Sequence, residues 1–455
     1  MTDDTIAAIA TPLGEGGLAV IRISGKDALA VADRCFRGPK GKAGVVSRAA
    51  SHTVHYGFIE REGRRVDEVL LAVLRAPKTF TREDVVEISC HGGILPAQLT
   101  LEAVLSSGAR SAEPGEFTKR AFLNGRIDLA QAEAVADVIH SRTELALAAA
   151  QEQLAGSLSR KIGDVRDALM KTLAHIEAHI DFPDEDIAPD ALSRLVERLT
   201  ASAAFIEGLL RSAREGQILR RGVRAAIIGP PNAGKSSLLN QLLGHERAIV
   251  SPVQGTTRDT IEETANIRGL PIVFIDTAGL RRSEDAIERE GIRRSEETLA
   301  RAELILRVVD LTQPADADDV ELSRKLEGRA HVVVFNKSDL PARRESSQPS
   351  AASVAVSCAT GAGIEELKDA IVRTVCGGGL QPEMLQAAIN ARHQRALIRA
   401  REALERCVST LREDQALELA AMELRIATAA VGEVVGKTST EDLLDSIFSQ
   451  FCIGK

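Results

Sequence analysis

The chain has 455 residues, of which 44% are hydrophobic and 27% charged, with a formal net charge of −8. That length sets a prior of about three domains, and the mix is ordinary for globular protein able to bury large cores. The acidic balance argues against wholesale binding to phosphate backbones, although a local basic patch is compatible with it.

The opening MTDDTIAAIA carries two acids where a secretory signal needs positive charge. No stretch approaches 18 uninterrupted apolar residues, so no membrane span is expected. Residues 1–118 read as mixed α/β. The runs Leu18–Ile23, Val69–Leu74 and Val85–Ile88 are strands bounded by turn or polar residues, and Leu95–Leu105 is a helix between Gly93 and Gly108. From Phe117 to about Gly216 the pattern turns helical: no proline falls between Pro114 and Pro183, and Leu129–Ala155 is dominated by Ala, Leu, Glu and Gln. Pro183 and Pro189 bracket an acidic turn. Residues 222–376 then alternate strand and helix (VRAAIIG, SSLLNQLL, PIVFID, ELILRVVD, HVVVFNKSD, SVAVSC, IEELKDAI), which indicates a mostly parallel, doubly wound sheet. Gly377-Gly378-Gly379 interrupts, and residues 383–455 are again helical in composition. The expected organisation is therefore an N-terminal α/β domain (1–118), a helical domain in two halves (119–218 and 378–455), and a doubly wound P-loop domain (219–377) inserted between them.

The six cysteines (Cys35, Cys90, Cys358, Cys376, Cys407, Cys452) form no CxxC pair, so neither a zinc site nor a disulfide framework is expected, and a reducing, cytoplasmic setting fits. Cys452 stands where a prenylation signal would place it, but Gly454 is not aliphatic and Lys455 is a poor final residue.

The strongest chemical signal is Gly229-Pro-Pro-Asn-Ala-Gly234-Lys235-Ser236, a G-x-x-x-x-G-K-S loop between a strand and the helix opened by Ser237. In such a loop Asn232, Ala233 and Gly234 turn backbone N–H groups toward phosphates, and the helix N-terminus adds a favourable dipole. Lys235 is expected to reach the β- and γ-phosphates and the Ser236 hydroxyl to ligate Mg²⁺. Asp276-Thr277-Ala278-Gly279 follows the next strand, where the acid can hold Mg²⁺ through water and Gly279 N–H can face the γ-phosphate. Asn336-Lys337-Ser338-Asp339 selects guanine: the Asp339 carboxylate can accept from N1–H and the 2-amino group, whereas adenine would leave it unpaired. Ser357-Cys358-Ala359 can present backbone N–H to guanine O6. The segment Gly255-Thr256-Thr257-Arg258-Asp259 lies between the P-loop and Asp276 as a switch, ordered by triphosphate and released on hydrolysis, with Thr257 closing over the metal; Ser251, Pro252, Val253 and Gln254 just before it are further candidate nucleotide contacts. Arg258 could serve as an internal arginine finger, but a solvated switch arginine is the favoured reading. The order and spacing identify a guanine-nucleotide-binding GTPase.

In Ras-like enzymes a glutamine just after D-x-x-G orients the attacking water. Here that residue is Leu280, which cannot, and spacing alone does not choose among Glu284, Asp285, Glu288 and Glu290. The Asn232 amide could coordinate a monovalent cation beside the phosphates, though asparagine there is more often a plain turn residue.

At this point the chain resembles the MnmE (TrmE) tRNA-modification GTPase family over nearly its whole length. Outside the nucleotide motifs the resemblance rests on VIRISG (20–25), EDVVEISCHGG (83–93), PGEFTKRAFLNGRIDLAQAEAVADVI (114–139), IDFPDEDI (180–187) and FCIGK (451–455). It implies work with a flavoprotein, MnmG (GidA), in a heterotetramer. That partner carries FAD and uses NADH. Together they add a carboxymethylaminomethyl or aminomethyl group to C5 of the wobble uridine (position 34) of certain tRNAs. It also implies an N-terminal folate-binding-like domain that forms a constitutive homodimer and holds 5-formyltetrahydrofolate or a related one-carbon folate, and G domains that pair when K⁺ and a transition-state-like nucleotide are present. By position, Arg22, Glu87, Arg126 and Lys455 match the family's folate contacts. The family pattern at 126 can be Lys, and Arg keeps the charge but not the geometry. Asn232, Ser251, Val253 and Thr256 align with K⁺ ligands, Ser236 and Thr257 with Mg²⁺ ligands, and Glu288 with the water-orienting glutamate. Cys452 aligns with a cysteine near the folate pocket, its role open. Arg392, Arg395, Arg399 and Arg406 could touch tRNA, but Glu402 and Glu405 interleave and favour a solvated helix face. Two other readings compete: a regulatory switch in ribosome assembly, and a folate-dependent one-carbon enzyme with a regulatory G domain.

Overall fold

The structure is a computed structural model that describes residues 4–181, 189–211, 213–244, 262–275, 299–315, 317–344, 352–377, 389–413, 416–438 and 440–455. The chain forms two compact units, Met1–Ala136 with Gly432–Lys455, and Asp137–Val431.

In the first unit the strands are β1 (Ile6–Ile9), β2 (Leu18–Ser24), β3 (Phe36–Arg37), β4 (Thr53–Arg61), β5 (Arg64–Leu74), β6 (Val85–His91) and β7 (Arg110–Ser111). Among the described residues they make a seven-stranded sheet ordered β3-β4-β5-β6-β2-β1-β7, with only the β1–β7 pair parallel. Alternation along each strand sorts the side chains. Ile21, Ile23, Leu71, Val73, Ile88 and Cys90 point inward and pack with helices Ala28–Cys35 and Ile94–Ser106. The other face carries Val54, Tyr56 and Leu70, which are 65%, 46% and 49% exposed. A second, smaller core joins the two ends of the sequence. Leu129 and Ala132 of helix Leu129–His140 pack with Leu444, Ile447 and Phe448 of helix Glu441–Phe448 and with Phe451. Burying a side chain of this size contributes roughly 1.5–3 kcal/mol. Gly115 opens helix Glu116–Leu123 at φ +68°, and a Cβ there would meet Phe448 O at 2.5 Å, so both conformation and space require glycine.

In the second unit β8 (Val223–Ile228), β9 (Glu263–Ile267), β10 (Leu270–Phe274), β11 (Leu304–Asp310), β12 (His331–Asn336) and β13 (Ala352–Ala355) form a six-stranded sheet among the described residues, ordered β13-β12-β11-β8-β10-β9. All its pairs are parallel except β9 with β10. Leu304–Val309 and Val332–Phe335 are buried throughout, as strands covered on both faces must be. Helices Lys235–Leu243 and Ile364–Cys376 join one core cluster, and Ala226, Ile305 and Leu326 belong to another. The long helices repeat apolar residues every three or four positions. Leu158, Ile162, Val165, Leu169, Leu173 and Ile176 line one stripe of Ser157–Asp181. Helix Ala391–Arg412 packs along Pro189–Arg211, although the α/β segment separates them in sequence.

The helical run expected over Leu129–Ala155 divides into Leu129–His140 and Glu144–Leu154. Helix propensity is high on both sides, but the Thr143 hydroxyl accepts from Ala146 N–H at 3.2 Å and caps a new helix. Among the described residues no helix is long and apolar enough to cross a membrane.

Candidate functional site

The glycine-rich loop 229–236 is dictated by its backbone. Gly229 leaves β8 at φ +150°, and a side chain there would collide with Val308 O on β11. Asn232 takes φ +60° and Gly234 φ +95°, both in the left-handed region, so the chain curls before entering helix Lys235–Leu243. A Cβ on Gly234 would collide with the Asn336 amide. The Lys235 ammonium bends back over the loop to the carbonyls of Gly229 (3.0 Å) and Pro230 (2.8 Å), which holds its charge at the loop mouth. Ser236 and Ser237 follow in the first helical turn.

Asn336, buried at the end of β12, joins three motif elements. Its Nδ2 donates to Ala233 O of the loop at 2.8 Å, and its Oδ1 accepts from Cys358 N–H at 3.1 Å. The Gln241 amide, on the helix after the loop, donates to Cys358 O at 2.9 Å. Sequence reasoning missed this last tie, because a glutamine inside a helix carries no motif signal. Ser357 N–H is taken by Ala362 O at 2.9 Å. With Cys358 N–H given to Asn336, Ala359 is the residue of the three whose N–H has no protein partner among the described residues. Burial pushes the Cys358 thiol up to about 11, and the Asp339 carboxylate adds to the rise. Asp339 is exposed to solvent and follows Ser338, whose N–H is tied to Val356 O, the residue before the 357–359 loop. Lys337 adopts φ +64°, a left-handed conformation that costs a lysine about 1 kcal/mol. Its ammonium reaches Asp310 Oδ2 at 2.6 Å, and Ser338 N–H donates to Val356 O at 3.1 Å.

The structure thus brings together the loop 229–237, Asn336–Asp339 and Ser357–Ala359. Ser251, Pro252, Val253, Gln254, Gly255, Thr256, Thr257, Asp276, Thr277, Ala278, Gly279 and Glu288 lie outside the described residues, as do Arg258, Glu284, Asp285 and Glu290. Among the described residues no cluster of three or more His, Cys, Asp or Glu gathers around a metal position.

A second polar site lies on the outer face of the first unit's sheet. Arg22 and Glu87 are paired by register across β2 and β6, with Arg22 Nε and Nη2 both 2.9 Å from Glu87 Oε1. Arg22 Nη1 also donates to Gly454 O at 3.4 Å. Gly454 sits at φ +93°, where a side chain would collide with Ile9 O. Lys455 O accepts from Phe117 N–H at 3.2 Å, and the Phe117 ring lies 5.7 Å from the Arg22 guanidinium. Arg126 donates to Thr79 O at 2.5 Å and lies 5.6 Å from the Phe80 ring, which packs on the cluster containing Phe117. Cys452 is exposed, and its carbonyl accepts from Gly115 N–H at 3.4 Å.

Beside this site lies a network that sequence reasoning did not find. Arg120 is 2% exposed and donates to Asp4 Oδ1 (2.7 Å), Glu116 Oε1 (3.0 Å) and Glu83 Oε1 (3.2 Å). Arg110 binds Asp4 and Glu116 as well. Burial pushes the Asp4 and Glu116 carboxyls up, but the two guanidiniums outweigh it and hold both below the usual carboxylate range.

On helix Ala391–Arg412, Arg406 pairs with Glu423 at 2.9 Å, Arg395 Nε donates to Ala391 O at 3.3 Å, and Arg401 pairs with Glu207 at 2.7 Å. Its basic residues are tied in part to the helices of their own unit.

The family model for the MnmE helical domain matches residues 129–452, and that for the GTP-binding protein TrmE N-terminus matches residues 5–126. The chain is 50% identical over 459 residues to the tRNA modification GTPase MnmE of Chloroflexus aurantiacus, covering 100% of both chains. It is 47% identical over 460 residues to that of Geobacillus kaustophilus, covering 99% of each. Among solved structures it is similar to the G domain of the T. maritima FeoB iron transporter, with 28% identity, 33% of this chain and 98% of that chain covered, and a TM-score of 0.25. By family model and by full-length identity, the chain belongs to the MnmE (TrmE) family of tRNA modification GTPases.

Proposed function

We propose that the protein hydrolyses GTP and, with the flavoprotein MnmG, adds a carboxymethylaminomethyl group to C5 of the wobble uridine (position 34) of certain tRNAs in the cytoplasm. The observation that carries the nucleotide half of this reading is the Asn336 clasp, with Ser338 tied to Val356 so that Asp339 follows next to the 357–359 loop. It sets a carboxylate for guanine N1–H and the 2-amino group and leaves Ala359 N–H to donate to O6. Phosphates rest on the N–H groups of 232–237, with Lys235 as counter-charge. Ser236 and Thr257 would hold Mg²⁺, which supplies charge neutralisation at the phosphates. Asn232, Ser251, Val253 and Thr256 would hold K⁺, and Glu288 would orient the water.

The Arg22–Glu87 site fits a folate by its chemistry: a guanidinium suits carboxylate or carbonyl oxygens, and a carboxylate suits the N–H donors of a pterin ring. Arg126 and Lys455 would complete it, and a one-carbon folate would supply the carbon unit when bound. Val54, Tyr56 and Leu70 on that face support a homodimer formed there. The α/β segment is read as an insert in a helical domain, which the packing of Ala391–Arg412 along Pro189–Arg211 supports.

The direct test is nucleoside analysis of tRNA from cells with and without the protein. Loss of the wobble-uridine modification is expected; normal tRNA with defective ribosomes would move the protein to ribosome assembly. Exchanging K⁺ for Na⁺ should slow hydrolysis greatly, and equal rates would remove the cation role of Asn232. Glu288→Ala should lower kcat with little change in nucleotide affinity; an unchanged kcat would return the question to Glu284, Asp285 and Glu290.

A further inference from the structure

Asp310, the last residue of β11, is not part of any nucleotide motif, yet it binds one. One of its carboxylate oxygens receives the Lys337 ammonium at 2.6 Å. The other receives the Thr312 N–H at 2.9 Å and the Thr312 hydroxyl at 2.7 Å. The group is 7% exposed, so its charge is satisfied by protein donors rather than by water.

The loop it reaches is held on both sides of Asp339. Asn336 is fixed by Ala233 and Cys358, Ser338 by Val356, and Leu340 N–H by Lys337 O at 3.0 Å. Lys337 alone carries a disfavoured backbone, at φ +64°, and Asp339 lies two residues further on. Register adds a second constraint. Asp310 is the partner of Asn336 across β11 and β12, and Leu311 N–H donates to Asn336 O at 3.1 Å. Asp310 therefore grips the specificity loop from the neighbouring strand end, where strand pairing fixes its position.

We propose that Asp310 is a positioning residue for guanine recognition: by anchoring Lys337 it holds the left-handed turn that aims Asp339 at the base. The proposal rests on the GTPase reading of the same site. Its consequence is that removing one charge outside the motif weakens base recognition more than it weakens chemistry at the phosphates.

Asp310→Asn tests this with little change of shape, since the amide oxygen can still accept from Thr312 while the charge facing Lys337 is lost. Titration calorimetry with GDP and with inosine diphosphate, which lacks the 2-amino group, reads the outcome on the full chain. GDP affinity is expected to fall by about tenfold or more, and the preference for GDP over inosine diphosphate to shrink. KM for GTP should rise further than kcat falls. Lys337→Met should produce a similar loss, and the double variant should be no worse than either single one, because both break the same link. Asp310→Glu, which keeps the charge, should recover part of the affinity and guards against a folding defect in the first variant. GDP affinity and GDP preference within twofold of the parent in Asp310→Asn, or losses that multiply in the double variant, would overturn the proposal. If the parent chain binds ADP as tightly as GDP, the base-site reading itself fails, an outcome separable from failure of the Asp310 role.

Discussion

The nucleotide site and the Arg22–Glu87 site solve the problem of placing charge in different ways. The proposed nucleotide site is built from short contiguous loops, shaped by glycines and left-handed turns, and on that reading its decisive groups are backbone N–H donors. The site on the first unit's sheet brings together groups more than four hundred positions apart, and the same unit buries Arg120 among three carboxylates. Loop backbone needs only local geometry to recognise phosphate, whereas a side-chain site needs the surrounding fold to hold each charge. The first is therefore sensitive to a single added carbon, and the second to a single unpaired charge.

The largest expected effect tests the dependence on buried charge. Arg120→Ala removes the one cation common to Asp4, Glu83 and Glu116, leaving Asp4 and Glu116 to Arg110 alone, and should cost the first unit about 3 kcal/mol. Thermal unfolding followed alongside GDP titration should show a large loss of stability with nucleotide affinity preserved; an equal loss in both would erase the contrast. Next comes Lys235→Ala, which should lower GTP hydrolysis by about 10²-fold or more while the melting of the first unit stays unchanged. Gly234→Ala follows. The new methyl must displace the Asn336 amide, and the φ of +95° is strained for alanine. Strain of this kind is of order 1–3 kcal/mol, and calorimetry should show it mainly as weaker GDP binding. The smallest effect is in pH. Asp4 and Glu116 are held below their ordinary range in the fold, so the stability they contribute is full above their unfolded values and is lost as pH falls through the folded ones. Melting temperature should therefore drop from about pH 4 downward, and Glu116→Gln should flatten that slope. A slope unaltered in this variant would place the acid sensitivity elsewhere.

The same contrast explains what could be read in the sequence. The loop 229–237, Asn336–Asp339 and Ser357–Ala359 were legible because each motif is contiguous and its flanking strands are long apolar runs. Arg22 and Glu87 look like ordinary polar positions in alternating strands, and only register brings them face to face. Arg120 was not legible at all. In Glu116–Leu123 it follows Lys119, and nothing local distinguishes the residue that is buried from the neighbour that pairs with Asp445 at 2.6 Å. The break at Thr143 was hidden for a similar reason: propensity is high on both sides, and a single capping hydroxyl decides the boundary. Asp310 was read only as the end of a strand, because its partner Lys337 lies just past the end of a different one.

The union of residues 1–136 with 432–455 has a consequence for the order of synthesis. Leu129 and Ala132 cannot meet Leu444, Phe448 and Phe451 until the ribosome has made the intervening chain, which at ordinary elongation rates takes on the order of tens of seconds. During that interval the nascent N-terminal sheet lacks Gly454 beside Arg22, while the P-loop sheet, contiguous in sequence, is free to close. The protein should therefore emerge with its nucleotide-binding half formed before its first-made half is finished.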